Sequence, residues 1–365
     1  MDGGTIRSAI IGKGLETMKT IRDLLGQESV EASAPCRIDM GGTLDLSTFF
    51  LPLHHLGPCT FNIALNLRTR VCISPFEAGR LRIRSQGFDD LTVDAGSAPF
   101  DHPLGLMAAV AAYFRANGVQ VEIVSSSPPR SALGGSSVAA VAMIWAFSKI
   151  RARAGLPMPK RSAVALLAHA IEQSVAGVPC GLQDQLAAVY GGVNAWYWSG
   201  DPAGMPFERV SLVNEDSYPD LSGDLLVAYC GAPHVSKDVN AVWVRQFVSG
   251  KTRQQWRQIV RLSRGFSEAM RQMDFPAARA FMNQETEIRC RLTPEVLDAI
   301  GKPLVAAAIR HGCGARFTGA GGGGCVWAFG DSGQLAALRP EWESVLAHRQ
   351  TACMLEARIE SQGLL

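Results

Sequence analysis

The sequence lacks long uncharged hydrophobic runs, although 47% of its 365 residues are hydrophobic. No apolar stretch reaches the ~18 residues that a transmembrane helix needs. The beginning of the chain places charges among its apolar positions and has no continuous apolar region of the kind found in signal peptides. The segment over residues 1–30 instead predicts an amphipathic helix packed on the body of the protein. We therefore expect a cytoplasmic protein with no membrane partner.

Charge of one sign is also scarce, since 35 basic and 33 acidic residues leave a formal net charge of +2. Without a basic run, the chain has no strong field for holding a nucleic-acid backbone, so we expect no nucleic-acid partner. The nine cysteines include no CxxC pair, and no Cys/His cluster has zinc-ligand spacing. Scattered thiols in a reducing compartment are the simplest interpretation.

Strand and helix patterns occur in mixed blocks rather than in regular βαβ units, which predicts an α+β fold with two packed lobes. Residues 34–75 hold β-like runs, and FNIALNLRTRVCI within them indicates one long strand or a strand pair. Residues 251–312 are mostly helical in pattern, with breaks at two prolines. Because the pattern changes near residue 205, we predict an N-terminal lobe over 1–205 and a C-terminal lobe over 206–365.

A strand, a glycine turn and a helix follow one another around Pro129 to Ser137. VQVEIVSSS (119–127) alternates like a strand, and VAAVAMIWAFSKIRARAG is a strongly apolar helix. A glycine turn at a helix N-terminus presents unpaired backbone N–H groups and the positive end of the helix dipole, and both favour a phosphate. Hydroxyls in the first turn can cap the helix or bind a metal. An ordinary serine N-cap after a glycine turn is the alternative.

A second glycine-rich segment runs from Gly314 to Cys325 with the sequence GARFTGAGGGGC. Five of the six residues 319–324 are glycine, and ordering them costs backbone entropy. A folded protein tolerates this cost where the backbone must approach something closely. A flexible loop is the alternative, but the predicted helix and apolar strand on either side disfavour it.

Carboxylates occur in stretches that are otherwise apolar or neutral. Glu172 lies on a predicted helix over residues 160–177, and Asp184 follows it in GLQDQ. An acid on such a segment is costly to bury unless it binds a metal or takes part in chemistry. A solvent-facing glutamate and an N-cap aspartate are the alternatives. APCRIDMGGTLD places Arg37 on a strand before a glycine turn and Asp45 after it, where a surface ion pair is the plainer interpretation.

These four segments occur in the order expected of GHMP kinases, the family that includes galactokinase and the homoserine, mevalonate and phosphomevalonate kinases. Residues 129–137 resemble the second family motif, Pro-x-Gly-x-Gly-Leu-Gly-Ser-Ser, and residues 314–325 are very similar to the third. Residues 34–45 resemble the first motif, and residues 172–185 resemble the galactokinase stretch from a metal-binding Glu to a catalytic Asp. The resemblance implies a two-lobed fold, with a mixed sheet and helices in the N-terminal lobe and helices on an antiparallel sheet in the C-terminal lobe.

The resemblance further implies a kinase that uses ATP and Mg²⁺ to phosphorylate a hydroxyl, expected to be the anomeric one, of a sugar or sugar phosphate. Asp184 matches the base near the acceptor hydroxyl, and Arg37 matches the arginine between that carboxylate and the γ-phosphate. Ser136 and Glu172 match the Mg²⁺ ligands. The other matches are the ATP-binding residues Pro129, Ser131, Leu133, Gly134, Gly135, Ser136, Ser137, Gly319, Gly321 and Gly322, and the substrate-binding residues Gly42, Asp45, Tyr190 and Gly191.

Departures from the family pattern bear on the substrate and on activity. The second motif has Arg130 and Ala132 where glycines are usual, and Gly135 where the first serine is usual. The first motif is one residue shorter than that of galactokinase and lacks its Glu-His pair. Gly-Gly-Thr before Asp45, with the later QDQ and YGG, resembles the heptose 7-phosphate kinase and fucokinase branch. We therefore expect a sugar kinase of this branch, present as a monomer or homodimer.

Two other classes of protein remain open. A mevalonate-type kinase or diphosphomevalonate decarboxylase needs basic residues for its anionic substrate, and Arg130 and Lys237 are the candidates. A non-catalytic sensor of sugar and ATP with the same fold is favoured by the altered second motif. The intact Arg37, Glu172 and Asp184 disfavour such a sensor.

Overall fold

The structure of the protein is a computed structural model. It describes residues 19–201, 203–232 and 236–365, and for residues 236–238 it describes the backbone alone. The described residues form two β-sheets with packed helices, so the predicted α+β class is confirmed. Among the described helices, none combines the length and the hydropathy that crossing a bilayer requires.

The amphipathic helix predicted over residues 1–30 lies mainly outside the described residues. The described part of that segment contains helix α1 (Ile21–Leu25), which begins with a capping box. The Thr20 hydroxyl accepts a 3.1 Å hydrogen bond from the Asp23 N–H, and the Asp23 carboxylate accepts one of 3.0 Å from the Thr20 N–H. Both apolar ends of α1 are buried in the hydrophobic core, so this short helix packs on the body of the protein.

A seven-stranded mixed sheet forms the first lobe. Its strands are β1 (Val30–Met40), β2 (Cys59–Pro75), β3 (Arg80–Ser85), β4 (Leu91–Asp94), β5 (Val119–Ser125), β6 (Val193–Trp198) and β7 (Phe207–Ser211). They lie in the order β4-β3-β5-β2-β6-β7, and β1 pairs with β2. The pairing of β3 with β5 is parallel and the others are antiparallel. The consecutive strands β3 and β4 form an antiparallel pair.

Strand β2 organises this sheet because it pairs with three neighbours along its length. Residues 59–63 pair with β6, residues 69–75 pair with β5, and β1 runs antiparallel along the other side. The segment predicted as one strand or a strand pair is therefore a single long strand. The register of β1 shifts between Pro35 and Cys36, where proline has no N–H to donate to the ladder.

Helices of the first lobe bring several segments toward one region. They are α2 (Ser47–Leu53), α3 (Gly105–Tyr113), α4 (Gly135–Ala152), α5 (Arg161–Ala176) and α6 (Gln183–Tyr190). Helix α4 packs on β1 and β2 and also contacts α3, α5 and α6, which is why its sequence is apolar on most faces. Helix α5 ends at Gly177, which takes the left-handed conformation common at helix C-termini.

A four-stranded antiparallel sheet forms the second lobe, in the order β11-β8-β10-β9. Its strands are β8 (Leu225–Tyr229), β9 (Gly314–Phe317), β10 (Cys325–Phe329) and β11 (Cys353–Leu355). The helices from β7 onward are α7 (Tyr218–Gly223), α8 (Ser236–Val248), α9 (Arg253–Arg271), α10 (Phe275–Leu292), α11 (Gly301–Arg310) and α12 (Ser332–Leu346). The Asp274 carboxylate caps α10 by accepting a 3.1 Å hydrogen bond from the Ala277 N–H, so the predicted break before Pro276 is confirmed.

The boundary predicted after residue 205 separates β6 from β7, although the two strands pair in the same sheet. The first lobe therefore extends through β7. The C-terminal segment also returns to the first lobe, where Arg68 donates a 2.6 Å hydrogen bond to the Gly363 carbonyl. Ser33 and Leu365 exchange backbone hydrogen bonds of 3.0 and 3.2 Å. Such pairing depends on which backbone N–H and C=O groups remain unpaired in the sheet, and local sequence patterns do not identify those groups.

Candidate active site

A cleft with a volume of about 780 Å³ is lined by both lobes, a size within the range of small-ligand sites. The first lobe contributes β1, the turn after it, the loop between β5 and α4, and the segment from α5 to α6. The second lobe contributes Asn240 of α8 and residues 319–320 after β9. The predicted site residues that line the cleft are Arg37, Asp45, Pro129, Ser131, Gly134, Gly135, Ser136, Ser137, Glu172, Asp184 and Gly319.

The loop before α4 takes a left-handed backbone conformation at three positions. The angle φ is +54° at Arg130, +63° at Ala132 and +82° at Gly134. Helix α4 then begins at Gly135 with no side chain capping its N-terminus. The first N–H groups of the helix therefore have no partner within it. Together with the helix dipole, these groups favour an anion at the start of α4.

Glu172 lies in the C-terminal half of α5 and accepts hydrogen bonds from two side chains. The Ser137 hydroxyl donates one of 2.8 Å and the Gln185 amide donates one of 2.6 Å, both to Oε2. Burial raises the pKa of Glu172 to about 7; the Asp184 charge raises it too, and the two hydrogen bonds oppose the shift. No cationic side chain of a described residue contributes to this balance.

The hydroxyl that meets Glu172 belongs to Ser137 and not to Ser136. Ser137 is buried, whereas Ser136 is exposed. Successive residues of an α-helix point about 100° apart, so only one of two neighbouring serines faces α5. The structure therefore pairs Glu172 with Ser137, whereas the sequence analysis paired it with Ser136.

The Ser137 hydroxyl and the Glu172 carboxylate fit the requirements of Mg²⁺. This ion prefers oxygen ligands and keeps several waters, so it needs only one or two protein groups. A carboxylate of raised pKa without a described cationic partner is the group that a bound cation would stabilise. Gln185 Oε1 is buried beside it with no hydrogen-bond partner among the described atoms. Within the described residues no group of three or more His, Cys, Asp or Glu forms a metal cluster, so ligand phosphates and water would complete the coordination.

Arg37 on β1 and Asp184 in the first turn of α6 form an ion pair inside the cleft. Arg37 Nη2 lies 2.7 Å from Asp184 Oδ1, and Arg37 Nε donates a 2.8 Å hydrogen bond to the same oxygen. An added Cβ on Gly134 would lie 3.2 Å from Asp184 Oδ2, so the second oxygen faces the glycine loop. Burial acts to lower the pKa of Arg37, but the charges of Asp184 and Asp39 outweigh it and raise the pKa overall. Arg37 is therefore a fixed positive charge beside Asp184.

Asp45 follows the glycine turn after β1 and is buried against the segment that leads into α6. Its Oδ2 atom accepts a 3.1 Å hydrogen bond from the Gln183 N–H, and a side chain on Gly181 would overlap its carboxylate. Burial raises the pKa of Asp45 to about 6; the Gln183 N–H opposes this shift, and the Asp184 charge adds to it. Asp45 lines the cleft, where its carboxylate can accept a hydrogen bond from a ligand hydroxyl.

Two family models match the chain. The model of the GHMP kinases N terminal domain matches residues 102–192, and the model of the GHMP kinases C terminal domain matches residues 266–348. The chain belongs to the GHMP kinase family. A curated mevalonate kinase from Thermococcus gammatolerans is 28% identical over 355 residues, which cover 87% of this chain and 91% of that protein.

Solved structures of GHMP kinases share the fold of this chain. Galactokinase from Lactococcus lactis, complexed with galactose, has a TM-score of 0.68 at 16% identity and matches 94% of this chain and 97% of its own. Phosphomevalonate kinase from Streptococcus pneumoniae has a TM-score of 0.69 at 15% identity and matches 91% of this chain and 99% of its own. The predicted GHMP kinase fold is thereby confirmed, and at these identities the likeness concerns the fold alone.

Of the four predicted substrate contacts, Asp45 lines the cleft, whereas Gly42, Tyr190 and Gly191 do not. Tyr190 ends α6, and its ring packs on Trp196, with the Arg209 guanidinium 4.6 Å from its centroid. Gly191 packs so closely on the backbone of residues 361–363 that a Cβ would lie 2.5 Å from the nearest carbonyl oxygen. Tyr190 therefore packs on the first sheet, and Gly191 packs on the returning C-terminal segment. The structure does not bring either residue to the cleft.

Four predicted residues of the GHMP motifs support the cleft from behind its lining: Gly42, Leu133, Gly321 and Gly322. The Gly322 N–H donates a 2.9 Å hydrogen bond to the Val296 carbonyl, and a Cβ on Gly321 would lie 2.6 Å from that oxygen. The backbone of Gly321 and Gly322 therefore approaches the Val296 carbonyl closely, and this contact requires the glycines. Of the three glycines predicted to bind ATP in this run, Gly319 alone lines the cleft.

A chain of buried charges behind Arg37 carries no local sequence signal. Arg316 of β9 forms ion pairs of 3.1 Å with Asp39 on β1 and 2.9 Å with Glu285 on α10. Glu285 also pairs with Arg289 at 2.7 Å, and Arg37 Nη1 lies 3.4 Å from Asp39. The four side chains beyond Arg37 are 0% exposed. These linked ion pairs join Arg37 of the first lobe to β9 and α10 of the second lobe.

The cleft also has an apolar side that no motif predicted. It contains Phe88, Leu104, Met107 and Ile123, with the hydroxyls of Thr69, Ser85, Ser125 and Ser127 among them. These residues come from separate strands, turns and helices of the first lobe. Each of them has the pattern of an ordinary core or strand residue in its own segment, so the sequence offers no signal that they share a site.

Proposed function

We propose that this GHMP kinase transfers the γ-phosphate of ATP to a hydroxyl of an uncharged sugar. The observation that carries the proposal is that the Arg37–Asp184 ion pair and the Ser137–Glu172 pair line one cleft with the N-terminus of α4. Phosphoryl transfer asks a protein mainly to position the reactants and to stabilise charge. The two side-chain pairs and the N-terminus of α4 would together position the reactants and stabilise the charge.

The triphosphate would lie at the start of α4, where the unpaired backbone N–H groups can donate to its oxygens. Ser137 and Glu172 would hold Mg²⁺, which when bound supplies neutralisation of phosphate charge. Gln185 holds the Glu172 carboxylate with a 2.6 Å hydrogen bond, so the orientation of this ligand would be set before the ion binds.

Asp184 would accept the proton of the acceptor hydroxyl. Its Oδ1 atom is held by Arg37, whereas its Oδ2 atom faces the glycine loop, where the γ-phosphate is expected. Arg37 also donates a 2.7 Å hydrogen bond to the Ala132 carbonyl, so its guanidinium is fixed between the carboxylate and the loop. A charge held in this way stabilises the charge that develops during transfer without reorganisation.

The charges of the cleft support an uncharged acceptor with several hydroxyls. Asp45 offers a buried carboxylate to a ligand hydroxyl. A ligand without a hydroxyl at that position would leave the carboxylate unpaired and would therefore bind much more weakly. The carboxylate of mevalonate would need an uncommitted cation instead. Arg37 is committed to Asp184 and Asp39, and Arg130 belongs to the loop before α4, where the nucleotide phosphates rather than the acceptor would lie.

Mevalonate is a second candidate acceptor. The observation that favours it is the 28% identity to the mevalonate kinase of Thermococcus gammatolerans over 87% of this chain. Lys237, predicted as a candidate for binding an anionic substrate, lies among the residues of which the backbone alone is described.

A panel of acceptors tests the proposal. The full-length chain would be incubated with MgATP and, separately, with aldohexoses, a deoxyhexose, a heptose 7-phosphate and mevalonate. ADP release gives the rate, and phosphorus NMR identifies the product. Phosphorylation of an uncharged sugar supports the proposal, phosphorylation of the heptose 7-phosphate alone contradicts an uncharged acceptor, and phosphorylation of mevalonate supports the second candidate. ATP binding without turnover of any acceptor would contradict both and favour a sensor.

A further inference from the structure

Arg130 occupies a backbone conformation that glycine adopts more easily. Its φ angle of +54° lies in the left-handed region, where the Cβ of any other residue crowds the backbone. Residues held in such conformations cluster at active sites and ligand clamps. Arg130 belongs to the loop before α4, and it lines the cleft.

The side chain of Arg130 is exposed at the cleft beside an aromatic ring. Its guanidinium carbon lies 5.8 Å from the centroid of Phe88, near the outer limit of a cation–π contact. Phe88 follows β3 and also lines the cleft. A Cβ added to Gly87 would lie 3.0 Å from Pro129 Cγ, so this turn packs directly on the loop. Because 5.8 Å is near the limit of a cation–π contact, the contact between Arg130 and Phe88 is weak enough for a ligand anion to replace it.

Cations are few among the described side chains that line the cleft. The carboxylates among these side chains are those of Asp45, Glu172 and Asp184. Among the described side chains of the lining, Arg37 and Arg130 are the arginines, and no lysine is present. Arg37 is buried and shared between two carboxylates. Arg130 forms no ion pair with a described residue, and among the described side chains of the lining it is therefore the cation that remains available to a ligand.

We propose that Arg130 binds the phosphate groups of the nucleotide, in addition to the backbone N–H groups of α4. The proposal rests on the proposed function, because it requires a nucleoside di- or triphosphate in the cleft. Contacts between a guanidinium and phosphate are charge-assisted and can be bidentate, so they are stronger than the ring contact that Arg130 would leave. Glycine at this position would relax the loop and lose the cation.

Three variants separate the charge of Arg130 from its backbone conformation. Arg130→Gln removes the charge and keeps a Cβ, Arg130→Lys keeps the charge, and Arg130→Gly removes both charge and crowding. Calorimetry on the full-length chain would measure the Kd of adenosine, ADP and MgATP. Arg130→Gln and Arg130→Gly should weaken ADP and MgATP about tenfold, as expected for a lost charge-assisted contact. Adenosine should change less than about twofold, and Arg130→Lys should restore part of the affinity.

Arg115 provides a matched control. It is also an exposed arginine with a left-handed backbone, at φ +51°, and it does not line the cleft. Arg115→Gln and Arg115→Gly should bind ADP and MgATP as the wild type does. Equal affinities of the Arg130 and Arg115 variants would overturn the role of Arg130. An acceptor KM that rises in Arg130→Gln while the nucleotide Kd stays constant would also overturn it. A wild-type chain that binds neither ADP nor MgATP would instead contradict the proposed function.

Discussion

The Ser137 hydroxyl donates a 2.8 Å hydrogen bond to Oε2 of Glu172 and thereby joins the first turn of α4 to α5. The same oxygen accepts the Gln185 amide. The start of the helix that would receive the phosphates is thus tied to the carboxylate that would bind the metal. Ser136, the neighbouring hydroxyl, is exposed and turned away from this bond.

Ser137→Ala should raise the Mg²⁺ concentration needed for half-maximal rate by about tenfold or more, because the variant would lose a proposed oxygen ligand of the metal. Ser136→Ala is the matched control and should stay within about twofold of the wild type. The measurement is a magnesium titration of the rate at saturating ATP and acceptor. Equal shifts in the two variants would contradict the assignment of Ser137.

The stability of the metal-free protein should fall as pH rises through the pKa of Glu172. This pKa is about 7 in the folded protein against an ordinary value of 4.5, so the fold favours the protonated form. The stabilisation is complete below pH ~4.5 and is lost on the way to about pH 7 and above. Relative to the wild type, Glu172→Gln should therefore gain on the order of 2 kcal/mol of unfolding free energy between pH 5 and pH 8.

Urea unfolding of both proteins in a chelating buffer measures this difference. Parallel stability curves of the wild type and Glu172→Gln over this pH range would contradict the raised pKa. Mg²⁺ with nucleotide should restore wild-type stability at pH 8, because bound cation replaces the proton.

Asp184→Asn should lower kcat by roughly 10²–10⁴ and leave the Kd of ATP near the wild-type value, since the proposed base would be lost and the loop before α4 kept. Arg37→Ala should lower kcat by about 10²–10³ through lost charge stabilisation. The two residues form one ion pair, so the double variant should lose less than the product of the single losses. Steady-state kinetics with nucleotide calorimetry gives both quantities. Multiplicative losses would argue that the residues act independently.

Asp45→Asn and Gly181→Ala should both raise the KM of the acceptor about tenfold or more and leave the KM of ATP within about twofold. Asp45→Asn alters the hydrogen-bond acceptor, and Gly181→Ala displaces it because a Cβ there overlaps the Asp45 carboxylate. The measurement is the dependence of rate on each substrate at saturation of the other. A rise confined to the KM of ATP would place Asp45 on the nucleotide side.

Glu285→Gln should destabilise the protein by about 3–5 kcal/mol, because it leaves Arg289 and Arg316 without their shared buried carboxylate. Glu287→Gln on the same helix is the matched control. Glu287 faces Arg291 in an exposed pair with 3.9 Å between nitrogen and oxygen, and its loss should change stability by less than about 1 kcal/mol. Urea unfolding followed by tryptophan fluorescence measures both variants. A Glu285 variant as stable as the control would show that the buried chain of ion pairs contributes little.

Local patterns in the sequence were sufficient to predict the strand–loop–helix unit that ends in α4, and they limited the segment of β2 to one long strand or a strand pair. They also drew attention to Arg37, Glu172 and Asp184, whose roles were expected from the resemblance to GHMP kinases. The structural predictions agree with the fold because glycine turns and apolar periodicity act through the backbone and solvation of their own segment. The structure brings all three of these side chains to one cleft.

Tertiary structure alone decided which neighbouring serine faces Glu172, because the phase of α4 against α5 follows from packing between helices. It also decided that β7 completes the first sheet and that Asp39 meets Arg316. The partners in that ion pair are separated by 277 residues, and no local pattern links them. The same holds for Arg130 and Phe88, which meet because two turns of the first lobe pack together. Which charges neutralise one another, and which remain for a ligand, is therefore a property of the packed lobes and not of any one motif.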